Sequence, residues 1–404
     1  MPESEIETSL ARVKRGTVDL IPEAELIGKL KRSRETGEPL RVKLGIDPSA
    51  PNLTLGHSVV LRKLRDFQEF GHTAVLVVGD FTRRIGDPSG QTQAREMVTT
   101  EEIERNMKDY RDQAFKILDP ERTEFRYNSE WLSHLSFEEL IILSSKYTVA
   151  RMLERDDFSK RYRENRPISI MEFLYPLAQA YDSIAIEADV ELGGLDQKFN
   201  LLIGREIQRQ YDQEPQIVVT VPLLIGLDGV RVMSQSKGNY IGINELPNEM
   251  YGKVMSIPDS LLKQYYELLI DVPWAEVADL HPKAQKDRLA RELVTIYHSQ
   301  EAAEAAAREF ERVFVTKKTP SDIKQVSIDS KYIKEDGTIW IVDLLEGSGL
   351  VGSRSQARRL IEQGGVYLNG DRIETVDFDP MFEDGMILQV GKRSFVKIIS
   401  QGSD

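Results

Sequence analysis

The chain reads as an α/β protein with a parallel sheet and crossover helices, followed by an all-helical segment and a small α+β unit. Three observations predict this. Apolar strand-like runs alternate with helical patterns through residues 1–246. Strand signals then stop, and helical spacing runs from Pro247 to about Phe314 within a second segment, 247–325. From about Trp340, within a third segment of 326–404, short strand-and-turn pieces mix with one helical stretch.

Arg41-Val42-Lys43-Leu44-Gly45-Ile46 reads as a strand, and His57 to Phe70 carries leucine, valine and phenylalanine at helical spacing. Thr73 to Gly79 is a β-branched apolar run, the mark of a strand buried on both faces. Ser169 to Ile184 reads as helix, Ala188 to Leu192 as strand, Leu195 to Gln210 as helix, and Gln216 to Ile225 as another buried strand. Such alternation implies parallel strands joined by crossover helices, and these sheets take ligands outside the carboxyl ends of their strands. Pro247 to about Phe314 is helical throughout, most clearly in the alanine-rich Glu301 to Arg312. Thr316 to Asp322 is a linker by composition. Ser353 to Gln363 is the helix of the last unit, and Gly365 to Gly370 is one of its strand-and-turn pieces. Gly347-Ser348-Gly349-Leu350-Val351-Gly352 matches the dinucleotide fingerprint, but about 50 residues follow it, too few for a dinucleotide-binding domain.

With 404 residues, 40% hydrophobic and 29% charged, the chain has the length for two or three domains with a sizeable core. It has no run of about 18 apolar residues, so no membrane partner is expected. Met1 to Glu5 lacks a basic region leading into an apolar stretch, so no secretory signal is read there and a cytoplasmic location is expected. The absence of cysteine excludes disulfides, thiolate catalysis and thiolate zinc sites. Five scattered histidines suggest no tightly bound metal. A net charge of −13 argues against indiscriminate nucleic-acid coating and leaves a local basic patch open.

Five segments carry candidate chemistry. In the first, Asp47-Pro48-Ser49-Ala50-Pro51-Asn52-Leu53-Thr54-Leu55-Gly56-His57, a strand ends, a proline-rich turn follows and a helix begins. A glycine there admits close approach, free N–H groups and the helix dipole suit phosphate, and His57 can donate to the same anion. A plain strand-to-helix loop with a capping histidine is the other reading. In the second, Gly86-Asp87-Pro88-Ser89-Gly90 is either a structural turn or one that aims the Asp87 carboxylate at a cation. In the third, Tyr175, Gln179 and Asp182 share one helical face in an otherwise apolar stretch, where buried polar groups want partners. A core tyrosine with solvated neighbours would give the same pattern. In the fourth, Gly193-Gly194-Leu195-Asp196-Gln197 joins a strand to a helix, and Asp196 can cap that helix or accept ribose hydroxyls. The fifth, Leu227 to Asn239, is a polar loop whose Arg231 and Lys237 could close over phosphates, or an ordinary surface loop.

Taken in order, these segments resemble the bacterial tyrosyl-tRNA synthetases, a class I aminoacyl-tRNA synthetase family, over nearly the whole chain. Leu53-Thr54-Leu55-Gly56-His57 is similar to the HIGH signature, and Val232-Met233-Ser234-Gln235-Ser236 stands at the KMSKS position. Ser353 to Gly370 resembles an S4 RNA-binding unit. The resemblance implies a Rossmann-like catalytic domain, an anticodon-binding-type helical domain and an S4-like domain. It implies ATP-dependent activation of L-tyrosine to the adenylate, then transfer to tRNA(Tyr), with magnesium accompanying ATP and a homodimer as the assembly. Asp182 would accept the phenol hydroxyl, Tyr175, Gln179 and Asp87 would hold the ammonium, and Gln197 would line the same pocket. Asp47, Ser49, Gly56, His57, Gly193, Gly194, Asp196, Met233, Ser234 and Ser236 would serve ATP. His57, Thr54, Gln235, Arg231 and Lys237 would occupy the catalytic phosphate end. Arg354, Arg358 and Arg359 would meet RNA, in a stretch from Val351 onward with seven basic and eight acidic residues.

The sequence departs from the family at that phosphate end. Thr54 replaces the first histidine of HIGH, Val232 and Gln235 replace the lysines of KMSKS, and Gln91 stands where a basic residue often follows the GDPSG turn. Arg83, Arg84, Arg95, Arg231 and Lys237 are candidates to substitute. The pattern motivates a second reading, a tyrosine- and RNA-binding paralogue with weak or absent ATP activation. A third is a ligase moved to another acceptor or a related aromatic acid; the intact Asp182 favours a phenol.

Overall fold

The computed structural model describes residues 3–47, 52–86, 110–315, 323–391 and 394–400. The expected linker at 316–322 lies outside them, as do Ser49, Asp87, Gln91 and Arg95. The chain forms two compact units, Met1–Ala303 and Glu304–Asp404. The sequence-based boundary at 246 falls inside the first unit.

The first unit is built on six strands, β1 (Asp19–Ile21), β2 (Arg41–Ile46), β3 (Thr73–Val78), β4 (Thr123–Tyr127), β5 (Val190–Gly194) and β6 (Ile217–Val221). Their spatial order is β1-β6-β5-β2-β3-β4, parallel except for β1, which runs antiparallel beside β6. Sequence pattern locates β2 and β3 closely. It misses β1, which has three residues, and β4, whose Thr-Glu-Phe-Arg-Tyr alternates polar and aromatic side chains at the sheet edge. The strand expected over 216–225 is shorter, because Pro222 cannot donate to a ladder.

The helices of this unit include α1 (Glu3–Lys14), α2 (Glu23–Thr36), α3 (Leu55–Glu69), α4 (Ile170–Ala185) and α5 (Lys198–Gln210). Buried α3 residues Leu55, Val59, Leu61, Leu64 and Phe67 repeat at helical spacing. Ser169 caps α4 through the Met171 N–H, with Glu172 closing a capping box. α4 and α5 pack together through Leu177, Ala180, Ile203 and Ile207. The strand order reverses between β2 and β5. The chain leaves β2 through α3 toward β3, and leaves β5 through α5 toward β6. A right-handed crossover in each direction puts these helices on opposite faces and leaves a crevice at the carboxyl ends of β2 and β5. Residues 247–297 are helical as expected, in α6 (Pro247–Met255), α7 (Leu262–Leu269) and α8 (Pro282–Tyr297).

The second unit holds a five-stranded sheet of β7 (Gln325–Ile328), β8 (Val366–Leu368), β9 (Asp371–Arg372), β10 (Ile387–Val390) and β11 (Ser394–Ser400), in the order β7-β11-β10-β8-β9. Helices α9 (Ile341–Gly347) and α10 (Arg354–Glu362) share its core, in which Leu344, Leu345, Ala357, Ile361 and Leu388 are buried. The glycine-rich 347–352 stretch ends α9, with Gly349 in the left-handed region at φ 73°, and is no phosphate loop.

Candidate active site

The crevice is a cleft of about 370 Å³. Its walls bring together Asp47, His57, Tyr175, Gln179, Asp182, Gly193, Gly194, Asp196 and Gln197, all of them singled out from the sequence. Gly79 lines it as well, and a Cβ there would collide with Asp47 and Thr82. At Gly194 a Cβ would stand 2.5 Å from Asp196 Oδ1 and 2.8 Å from Leu223, so this strand end admits no side chain.

Asp182 lies at one end of the cleft, 4% exposed, on the inward face of α4. Its carboxylate accepts from Trp131 Nε1 at 2.8 Å and from Asn128 Nδ2 at 3.3 Å. Asn128 is itself fixed, donating to Thr82 Oγ1 at 3.0 Å and accepting from the Phe81 N–H at 2.9 Å. Burial raises the Asp182 carboxyl to about 7, against the pull of Lys43 and the two N–H donors, with Glu191 adding to the rise. Two turns away, the Tyr175 hydroxyl donates to Asp47 Oδ2 at 2.8 Å. A residue expected at the ammonium and one expected at ATP are thus joined to each other. Asn128, Trp131 and Thr82 escaped sequence reading because they follow the unread strand β4 or cap the end of β3.

At the other end, Thr54 is buried and precedes α3. Its main-chain N–H donates to His57 Nδ1 at 3.1 Å, and its hydroxyl lies 2.9 Å from the same nitrogen. Nδ1 therefore accepts, and the neutral imidazole carries its proton on Nε2. The ring opens onto the cleft, yet surrounding protein lowers its pKa, so it is uncharged at neutral pH. Leu53 to Leu55 pair with Ile241 to Ile243 through the Leu55 N–H to Ile241 O at 2.9 Å and the Ile243 N–H to Leu53 O at 3.0 Å. This pairing draws the Leu227–Asn239 loop beside the start of α3. Met233 packs near Gly56, whose added Cβ would lie 3.8 Å from Met233 Cβ. Gln235 donates through Nε2 to the Asn52 carbonyl, and Ser234 Oγ lies 2.9 Å from Ser236 Oγ.

The loop cations divide. Arg231 is held by Asp228, Nε to Oδ2 at 2.7 Å, while the Val230 and Arg231 N–H groups cap the other carboxylate oxygen. Those bonds keep Asp228 well below the usual carboxylate range. Lys237 is exposed and makes no ion pair among the described residues. Arg84 lies over the Phe81 ring, 5.9 Å from its centroid. Among the described residues no group of three or more His, Asp or Glu could hold a metal.

In the second unit, Arg354, Arg358 and Arg359 are exposed on α10. Arg354 is tied to Asp343 at 2.9 Å and Glu346 at 3.1 Å, and Arg358 lies 5.2 Å over the Trp340 ring. Arg359 keeps no ion-pair partner among the described residues.

Sheet order and cleft together define a protein of the class I synthetase architecture. The family model described as tRNA synthetases class I (W and Y) matches residues 35–315, and that of the S4 domain matches 339–379. A tyrosine–tRNA ligase of Moorella thermoacetica is 52% identical over 405 residues, covering 98% of this chain and 97% of that one. One of Thermotoga maritima is 53% identical over 395 residues, 96% of each. Among solved structures, a C-terminally truncated mitochondrial tyrosyl-tRNA synthetase of Aspergillus nidulans aligns with a TM-score of 0.63 at 22% identity, over 77% of this chain and 97% of that one. The Archaeoglobus fulgidus tyrosyl-tRNA synthetase complexed with L-tyrosine gives 0.60 at 24% identity, over 75% and 99%. The chain belongs to the tyrosine–tRNA ligase family of class I synthetases.

Because the folded Asp182 carboxyl sits above its ordinary value of 3.8, ionising it opposes folding as pH rises from about 4 to about 7 and adds no further cost above that. Replacing Trp131 with phenylalanine removes an N–H donor that favours the anion, so Asp182 should titrate higher than about 7. A carbon-detected NMR titration of the side-chain carboxyl reads this; an unmoved titration would take Trp131 out of its support.

Proposed function

We propose that this chain activates L-tyrosine with ATP and transfers it to tRNA(Tyr). The observation that carries this is the buried, donor-supported carboxylate of Asp182 at one end of a cleft whose other end is a helix start. In this reading Asp182 accepts the substrate phenol, while Tyr175, Gln179 and Asp87 hold the ammonium and Gln197 closes the pocket wall. Phenylalanine would leave Asp182 buried without its donor. Tyrosyl-tRNA synthetases are themselves the standing case of that discrimination, at about 10⁵.

The substrate carboxylate attacks the α-phosphorus of ATP and displaces pyrophosphate, with no protein nucleophile. Asp196 and the main chain of Gly193 and Gly194 take the ribose, and Asp47 and Ser49 border the nucleotide. Gly56 exposes the N–H groups of α3, and neutral His57 donates from Nε2 to phosphate. Met233, Ser234, Gln235 and Ser236 close over the nucleotide, which enters with magnesium as substrate. Thr54 acts through His57, whose tautomer it fixes. Lys237 supplies positive charge where pyrophosphate forms, and Arg231 joins it only by leaving Asp228. Arg354, Arg358 and Arg359 form a small RNA-facing patch. No helix of the described residues is long and apolar enough to cross a membrane; a cytoplasmic location is part of the proposed reading.

The first measurement is tyrosine-dependent exchange of pyrophosphate into ATP, with phenylalanine as control. Exchange with tyrosine alone is expected; tyrosine binding without exchange would favour the binding paralogue. Lys237→Ala should slow exchange about 10²-fold, the usual cost of one charged transition-state contact. An unchanged rate would move that role elsewhere.

A homodimer is also proposed. Phe137 and Ile170 are 78% and 80% exposed, and Ile141, Val149 and Tyr162 are exposed in the same stretch of chain. A concentration of apolar surface of this kind suits an interface. The double variant Phe137→Asp with Ile170→Asp should sediment as a monomer, and a wild-type monomer would refute the assembly.

A further inference from the structure

A buried polar cluster lies beneath the cleft, and none of the roles above uses it. Lys43 and Glu191 oppose each other in register on β2 and β5, 0% and 1% exposed, with Nζ 2.8 Å from Oε1. Lys43 also donates to the Gln179 carbonyl and to Ser183 Oγ, both at 2.9 Å. Glu191 accepts from Gln179 Nε2 and Ser183 Oγ, both at 3.3 Å, and from Gln216 Nε2. The neighbouring helix makes room for this cluster with a glycine. A Cβ at Gly204 would stand 2.6 Å from Gln216 Nε2 and 3.2 Å from Glu191 Oε2.

A glutamine amide can present either end to a ligand. A carboxylate only accepts, so the end of Gln179 that meets Glu191 is its NH2 group. Lys43 holds the main chain of the same residue. The remaining end, Oε1, is buried and has no hydrogen-bond partner among the described residues. Gln179 lines the cleft. As an acceptor, that oxygen suits a substrate ammonium brought against it, whereas the NH2 end would repel one. A buried ion pair adds little net stability over apolar side chains of the same shape. Positional control is the return the pair does give.

We propose that Lys43 and Glu191 are positioning residues for amino-acid recognition, fixing the Gln179 amide with its oxygen toward the substrate ammonium. This rests on the reading of Gln179 as an ammonium ligand. The test compares calorimetric binding of L-tyrosine with that of desaminotyrosine, which lacks the ammonium. In the double variant Lys43→Met with Glu191→Met, neither member of the pair is left as a lone buried charge and Gln179 is free to turn. Losing Lys43 also removes its pull on Asp182, which acts on the phenol of both ligands alike, so the readout is their ratio: the preference for tyrosine over desaminotyrosine should fall about tenfold, the effect of one lost charge-assisted bond. Equal weakening of both ligands, or of neither, overturns the proposal. Should the double variant not fold, Glu191→Asp keeps both charges and withdraws the acceptor. It should lower the tyrosine-to-desaminotyrosine ratio in the same direction, and an unchanged ratio again overturns the proposal. Gln179→Ala is the control on the underlying reading. If it leaves the ratio intact, the assignment of Gln179 itself has failed; if only the pair variants leave it intact, the pair has.

Discussion

The cleft exists because the sheet grows in opposite directions from β2 and β5. Two of the segments that line it leave at that junction: β2 delivers Asp47 and the start of α3, and β5 delivers Gly193, Gly194 and Asp196, while α4 and the ends of β3 and β4 supply the rest of the wall. Two parallel strands whose onward helices lie on opposite faces leave their carboxyl ends open between them. Keeping that opening clear requires the missing side chains at Gly79 and Gly194, since either Cβ would meet a neighbouring carboxylate. Closing it from below falls to Lys43 and Glu191, a fully buried ion pair that bridges β2 and β5.

The two ends of the cleft work on different electrostatic terms. The Asp182 end is dry and carries a carboxylate whose ionisation is costly, held at the edge of neutrality by two N–H donors and a nearby ammonium. A ligand hydroxyl gains most where the acceptor is desolvated and already oriented. The opposite end offers helix N–H groups, an uncharged imidazole and a loop in which Arg231 already has an anion of its own. In the proposed reading, positive charge there depends on what the loop does when a phosphate arrives. Thr54 and Gln235, which break the family signatures, are not idle: the Thr54 hydroxyl lies 2.9 Å from His57 Nδ1, and Gln235 pins the loop to the Asn52 carbonyl.

Much of this was legible in the sequence, for reasons specific to each element. Strands β2 and β3 are buried on both faces, so their apolar runs mark them, and α3, α4 and α5 carry apolar residues at helical spacing. The glycine turn after β5 and the Tyr175, Gln179, Asp182 face stand out because polar residues interrupt apolar surroundings. Strand β4 did not stand out, being a polar edge strand, and with it went Asn128 and Trp131, the supports of Asp182. Lys43 read as an ordinary strand residue because its partners lie far along the chain; Ser183 is 140 residues away. Arg231 read as available because sequence gives no sign that the Asp228 side chain turns back onto it.

The separation between the ends bears on what substitution at the phosphate end can do. Asp182 is held by α4 and by residues after β4, whereas the altered signature positions belong to the start of α3 and to the loop after β6. No hydrogen bond described above passes directly from the loop to Asp182. In the proposed reading, selection of the amino acid and stabilisation of pyrophosphate rest on different supports, joined at Asp47, where the Tyr175 hydroxyl donates to the residue that follows β2. Loss of lysines from the loop can change the rate of activation while leaving the choice of amino acid where it was. A change in Lys43 or Glu191 has the opposite character, because the pair touches α4 and not the loop.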